Sequence, residues 1–133
     1  FGEYFPDWGA YTNFGKLSTK EAFNCSKQNI VQAADKCIFQ IGDSRTILRQ
    51  FEDNYFDWVY IDSAHNFETT IEELTILKAK VKDNGIIAGH DYHPVNNYKH
   101  YGVVQAVTKF CEETNWKLVY FDNYLNWYLE YGN

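Results

Sequence analysis

The sequence predicts an α/β fold, a mostly parallel sheet flanked by helices and closed by an antiparallel hairpin. Three observations lead there. Short apolar runs at 37–41, 56–61 and 86–88 alternate with stretches whose apolar residues recur at three- and four-residue steps, the pattern of strands alternating with amphipathic helices. The last two apolar runs, 116–121 and 125–131, are separated by only a few residues, which suits a hairpin and no crossover. The chain is 133 residues long with 45% hydrophobic and 23% charged residues, enough for one soluble domain with a core.

The elements follow in order. Residues 1–17 interleave Gly2, Gly9 and Gly15 with Tyr4, Phe5, Trp8, Tyr11 and Phe14 and read as a loop. Ser18 with Glu21 three residues on has capping-box spacing and opens a helix through Ala34, with Phe23, Ile30, Val31 and Ala34 facing inward. The run 37–41 reads as a strand ended by Gly42-Asp43-Ser44, with Ser44 as the N-cap of a short helix carrying Ile47, Leu48 and Phe51. Phe-Asp-Trp-Val-Tyr-Ile at 56–61 is the strongest strand, and Asp62 stands at its end. Phe67, Ile71, Leu74, Leu77 and Val81 mark a helix, which Asn84-Gly85 stops with residue types that tolerate left-handed backbone. Ile86-Ile87-Ala88 is a buried strand ending in Gly89-His90-Asp91-Tyr92. A polar loop follows, then a helix on Val103, Val104, Val107, Phe110 and Cys111.

Composition excludes several classes of function. A net charge of −6 lacks the positive field that draws proteins to phosphate backbones, so nucleic acid is not an expected partner. No apolar run approaches the roughly 20 residues of a membrane helix, so no membrane partner is expected either. The chain has no Met and begins with Phe1, which suggests a processed chain or a fragment, and no signal segment opens it. Cys25, Cys37 and Cys111 are odd in number and show no CxxC spacing; they read as reduced, buried thiols of a cytoplasmic protein. Asn24-Cys25-Ser26 fits a glycosylation triplet but lies inside a helix. The eight glycines form neither GxGxxG nor a P-loop, and no GxSxG elbow occurs.

Polar groups cluster where ligands bind in open α/β sheets, beyond the carboxyl ends of strands. Asp43-Ser44, Asp62-Ser63-Ala64-His65 and His90-Asp91-Tyr92-His93 would meet on one rim. Asp62 and Asp91 could share a hard cation, Mg2+ or Ca2+, because two close carboxylates repel unless a cation or proton lies between them. His90 could add a third ligand or bond to Asp91. His65, three residues after Asp62, could serve as a general base or simply cap the next helix. His93 and His100 read as loop residues.

The segment FDWVYIDSAHNFETTIEELTILKAKVKDNGIIAGHDY, followed by GVVQAVTKFCEETNWKL, resembles class I S-adenosylmethionine-dependent methyltransferases. It is most similar to the branch of macrolide-sugar O-methyltransferases and cephalosporin-hydroxylase-like proteins, with a strand ending ID-x-x-H and a second ending GHDY. The resemblance spans roughly residues 37–121. It implies a Rossmann-like methyltransferase sheet and O-methyl transfer to a small-molecule hydroxyl. S-adenosylmethionine would be the cofactor, aided by a divalent cation. On this reading His65 is the catalytic base, and Asp62, Asp91 and His90 hold the metal. Gly42, Asp43 and Ser44 border the adenine, and Asp62 also faces the cofactor. The family's E/D-x-G-x-x-x-G loop has no counterpart in residues 1–36. The resemblance therefore implies a single domain, 1–133, that lacks the first βαβ part and is incomplete at the N-terminus. Its exposed sheet edge would favour a homodimer. Two other readings stay open: a non-catalytic methyltransferase-like module that self-associates, and a metal-dependent hydrolase built on Asp62, His65, His90 and Asp91.

Overall fold

The computed structural model describes residues 19–132, so the loop at 1–17 and the Ser18 cap lie outside the described residues. The chain divides into two compact units at Gln40/Ile41. In the first, helix α1 (Thr19–Asn29) gives way to a 3-10 turn (Val31–Lys36), so the helix expected through Ala34 ends five residues early. The adjacent β-branched Ile30-Val31 pair disfavours further α-helix, and the Ser26 hydroxyl donates back to the Ala22 carbonyl at 3.0 Å. Of the expected inner face, Phe23 and Ile30 are half-buried, while Val31 and Ala34 are exposed. Residues 37–41 form no strand: they are exposed and have no ladder partner among the described residues, and a strand needs one to satisfy its amides. The cysteines differ from expectation too, since Cys25 and Cys37 are exposed and Cys111 is half-buried; none is paired.

The second unit opens with α2 (Ser44–Leu48), capped by Asp43 and not by Ser44. The Asp43 carboxylate accepts from the amides of Arg45 at 3.0 Å and Thr46 at 3.3 Å, whereas the Ser44 hydroxyl is drawn away to Glu73. Four strands follow: β1 (Phe56–Ile61), β2 (Val81–Gly89), β3 (Trp116–Phe121) and β4 (Trp127–Tyr131). They form one sheet in the order β1-β2-β4-β3. β1 and β2 are parallel, while β4 runs antiparallel to both β2 and β3, which gives a mixed sheet of the expected α/β class with its closing hairpin.

Helix α3 (Phe67–Lys80) joins β1 to β2, and α4 (Tyr101–Glu113) joins β2 to β3. The helix expected to run to Asn84 stops at Lys80, and β2 starts at once. Neither Asn84 nor Gly85 adopts a left-handed backbone. Gly85 is required for a different reason: a Cβ there would lie 2.7 Å from the Asp57 carbonyl and 2.6 Å from the Val81 side chain. It sits where the β1–β2 register shifts between Phe56 and Trp58.

Both helices cover the same face of the sheet. Leu74 and Leu77 of α3 and Val103, Val107 and Phe110 of α4 bury against Ile87, Trp127 and Leu129. The opposite face carries the in-register row Tyr60–Ala88–Tyr128–Tyr120, with Trp58 beside it at 65% exposure. Tyr120 and Tyr128 stack there with ring centroids 5.6 Å apart. Among the described residues no helix is long and apolar enough to cross a membrane.

Candidate active site at the tips of β1 and β2

β1 and β2 are adjacent and parallel, so the residues that follow them emerge side by side. Two main-chain hydrogen bonds and one from a side chain fix this rim. The His90 amide donates to the Ile61 carbonyl at 3.0 Å, the Tyr92 amide to the Leu125 carbonyl at 3.0 Å, and the Trp127 indole to the His90 carbonyl at 2.9 Å. Gly89 admits that indole: a Cβ at this position would lie 2.5 Å from Trp127 Cζ2. Asn66 caps α3 by accepting from the Thr69 amide at 2.8 Å, which ends the loop carrying Asp62 and His65.

Two residues of the rim hold left-handed backbone, His65 at φ 56° and Asp91 at φ 63°. Outside glycine this conformation costs on the order of 1 kcal/mol per residue and must be held by surrounding contacts. It turns both side chains toward each other. His65 Nε2 lies 2.8 Å from Asp62 Oδ1 and 3.2 Å from Asp91 Oδ2. Both neighbours are acceptors, so Nε2 carries the hydrogen and donates. In the neutral ring Nδ1 is then the basic nitrogen, and it makes no hydrogen bond among the described residues.

Asp91 is the hub, at 6% exposure. Its Oδ1 accepts from the Tyr98 hydroxyl at 2.9 Å, and its Oδ2 lies 3.3 Å from His90 Nδ1 as well as near His65. Burial works against ionisation of this carboxyl. The Tyr98 hydrogen bond, the His65 and His100 rings and the His90 contact outweigh it and hold the pKa below the ordinary range. Burial raises the Tyr60 pKa, and the charges of Asp62, Asp122 and Asp91 add to the rise, so the rim's negative field reaches the neighbouring strand.

His90 Nε2 donates to the Tyr124 carbonyl at 3.0 Å. A neutral His90 therefore turns a lone pair toward Asp91 Oδ2, an arrangement that calls for a positive species between the two. The ligand atoms of Asp62, His90 and Asp91 lie within 4.8 Å of one another, and two carboxylates with one imidazole suit a hard or intermediate divalent ion.

The structure thus brings Asp62, His65, His90 and Asp91 together. Gly42, Asp43 and Ser44 are occupied differently. Asp43 caps α2 and pairs with Arg45 at 2.6 Å, and that pairing, with the Thr46 amide, lowers its pKa from the usual 3.8 to about 2. Ser44 donates to Glu73 Oε1 at 2.5 Å, and Ser63 donates to Glu73 Oε2 at 2.7 Å. Gly42 keeps α2 close, since a Cβ there would meet Ile47 Cδ1 at 3.2 Å.

Sequence reasoning missed Tyr98 and Glu73 and read His100 as a loop residue. His100 stands at the start of α4 and sets its ring edge-on to His65, with centroids 4.7 Å apart. Gly102 permits this, because a Cβ there would come within 2.5 Å of the Phe67 amide nitrogen. Burial lowers the His100 pKa, with Asp91 opposing the shift. Tyr98 stacks on His93, whose Nδ1 is buried without a hydrogen-bond partner among the described residues. Glu73 could have been found from helical spacing, since it lies three residues after Thr70 and four before Leu77 on the buried stripe of α3.

A methyltransferase domain family matches residues 9–92. No curated protein matches the chain. Among solved structures, the chain is similar to a TDP-rhamnose 3'-O-methyltransferase of calicheamicin biosynthesis in its apo form. The TM-score is 0.58 at 18% identity, over 86% of this chain and 55% of that one. It is also similar to a spermidine synthase in complex with a transition-state analogue, with TM-score 0.54, 21% identity, and coverage of 83% and 41%. A spermidine synthase from Thermotoga maritima gives TM-score 0.53, 21% identity, and coverage of 83% and 39%. At these identities the likeness is one of fold, and the chain spans 55% or less of the length of each of these structures. The family match takes in well over half of the chain, which belongs to this methyltransferase domain family, with S-adenosylmethionine as the cofactor that membership implies.

Proposed function

We propose that this chain is part or all of an S-adenosylmethionine-dependent O-methyltransferase acting on the hydroxyl of a small molecule. The observation that carries the reading is His65, held by Asp62 and Asp91 at the tips of two adjacent strands with Nδ1 left basic. The two carboxylates fix the tautomer and orientation of the ring and stabilise its charge once it gains a proton. The acceptor hydroxyl gives that proton to Nδ1 as its oxygen takes the methyl group. The Tyr98 hydroxyl, donating to Oδ1, keeps Asp91 ionised and in place.

Asp62, His90 and Asp91 would hold Mg2+ or Ca2+, whose charge would orient the acceptor and acidify its hydroxyl. S-adenosylmethionine supplies a methyl group already joined to a good leaving group, so positioning does most of the work. Asp62, half-exposed, would present its second oxygen to the cofactor, while the Asp43 and Ser44 side chains are committed to the α2 cap and to Glu73. The three unpaired cysteines, two of them exposed, suit a reducing compartment such as the cytoplasm.

Calorimetric titration with S-adenosylhomocysteine, with and without Mg2+, tests this reading. Saturable binding that tightens with Mg2+ is expected. Absence of binding under both conditions, in this chain and in one extended upstream, would overturn it.

A further inference from the structure

Two groups of metal-capable side chains occur at this rim, and they share Asp91. The first, Asp62 with His90 and Asp91, belongs to the reading above. The second is His65, Asp91 and His100, whose ligand atoms also lie within 4.8 Å of one another. Its members come from three separate places: the loop after β1, the end of β2 and the start of α4.

We propose that His65, Asp91 and His100 form a second cation site, one that takes a borderline divalent transition metal of the Zn2+ or Co2+ type. The donor set separates it from the first group. Two imidazoles and one carboxylate favour Co2+, Ni2+ and Zn2+ over Mg2+ and Ca2+, which prefer oxygen ligands. Three further observations support the assignment. Asp91 is buried and its other oxygen already accepts a hydrogen bond from the Tyr98 hydroxyl, as metal-binding carboxylates commonly do. The His100 ring nitrogens make no hydrogen bond among the described residues, although the residue occupies a cap position. Gly102 brings the start of α4 against Asn66 and Phe67 more closely than any side chain would allow, and this approach places His100 on His65.

The site stands on these three side chains and does not need the methyl-transfer reading; only its consequence rests on that reading. Ligation through either nitrogen of His65 leaves the proton on the other, so the ring keeps no lone pair to accept a proton. A bound transition metal then inhibits turnover while Mg2+ supports it.

The test uses Zn2+ and Co2+ alone, without methyl donor, so its failure and failure of the methyl-transfer reading are separable. Calorimetry should show one Zn2+ per chain, weakened at least about tenfold in His100→Ala, with the Mg2+ response unchanged. The wild-type protein provides a readout independent of folding of the variant: Zn2+ should move the NMR signals of the His65 and His100 rings more than those of His90 and His93. The Co2+ spectrum should lack a thiolate charge-transfer band. Unchanged Zn2+ affinity in His100→Ala, larger ring shifts at His90 or His93, or a thiolate band placing the ion on Cys25 or Cys37 would each overturn the proposal.

Discussion

Glu73 and Asp91 are both almost wholly buried, at 2% and 6% exposure, and both reach the loop that follows β1. Their partners differ in kind. Glu73 receives one hydroxyl on each oxygen, from Ser44 and Ser63, and so ties α2 and the loop to α3. Asp91 faces His65, His90 and Tyr98, all groups that can give or take a proton, with His100 nearby. Burial of a carboxyl therefore does not by itself distinguish a structural strut from a working group; the chemistry of the neighbours does. The Glu73 cluster is closed, and every hydrogen bond serves packing. The Asp91 cluster leaves a basic nitrogen and a mismatched lone pair unanswered.

This contrast predicts that damage to the two clusters shows up in different measurements. The largest effect should be on turnover. His65→Asn keeps a residue that accepts the left-handed backbone but removes the proposed base, so kcat should fall about 10²–10⁴-fold while the thermal melt stays cooperative. Steady-state kinetics beside a thermal melt check this, and an unchanged kcat would remove His65 from the mechanism. Next in size is Glu73→Ala. It strands two hydroxyls and opens a cavity, at a cost of about 2–4 kcal/mol in urea unfolding, whereas Glu73→Gln should cost nearer 1 kcal/mol. If Glu73→Gln abolished activity without loss of stability, the distinction between the clusters would fail.

Smaller still is Tyr98→Phe, which should lower stability by about 1 kcal/mol at neutral pH. Asp91 has a depressed pKa, so its contribution is present above the ordinary carboxylate range and is lost as pH falls through the folded value. The difference between Tyr98→Phe and wild type should therefore shrink in acid. The smallest effect belongs to Asp43, lowered to about 2 by Arg45 at the surface. Its contribution is full above pH 3.8 and disappears toward about 2, so acid melts of Asp43→Asn should be flatter than wild type in that window.

Much of this was legible in the residues. β1, α4 and the closing hairpin carry unambiguous periodicity, and the polar tips after Ile61 and Gly89 marked the rim. Val81 was misread because its spacing from Leu77 continues the helical stripe, although its backbone already belongs to β2. The apolar run at 37–41 has strand composition, but composition cannot supply a neighbouring strand. Tyr98 and His100 were out of reach for a different reason. They meet Asp91 and His65 only because the chain doubles back after β2 and Gly102 lets α4 start against α3, a long-range path that leaves no local pattern.

The two faces of the sheet also give the molecule a built-in optical readout. Trp116 and Trp127 are sealed at 2% and 1% exposure, whereas Trp58 stands in water on the opposite face. In a Trp8→Phe background, emission should separate into a blue, acrylamide-resistant component that follows global unfolding and a red, quenchable one from Trp58. Protection of the red component alone would report whatever comes to rest on the aromatic face, without any label and without disturbing the rim at the tips of β1 and β2.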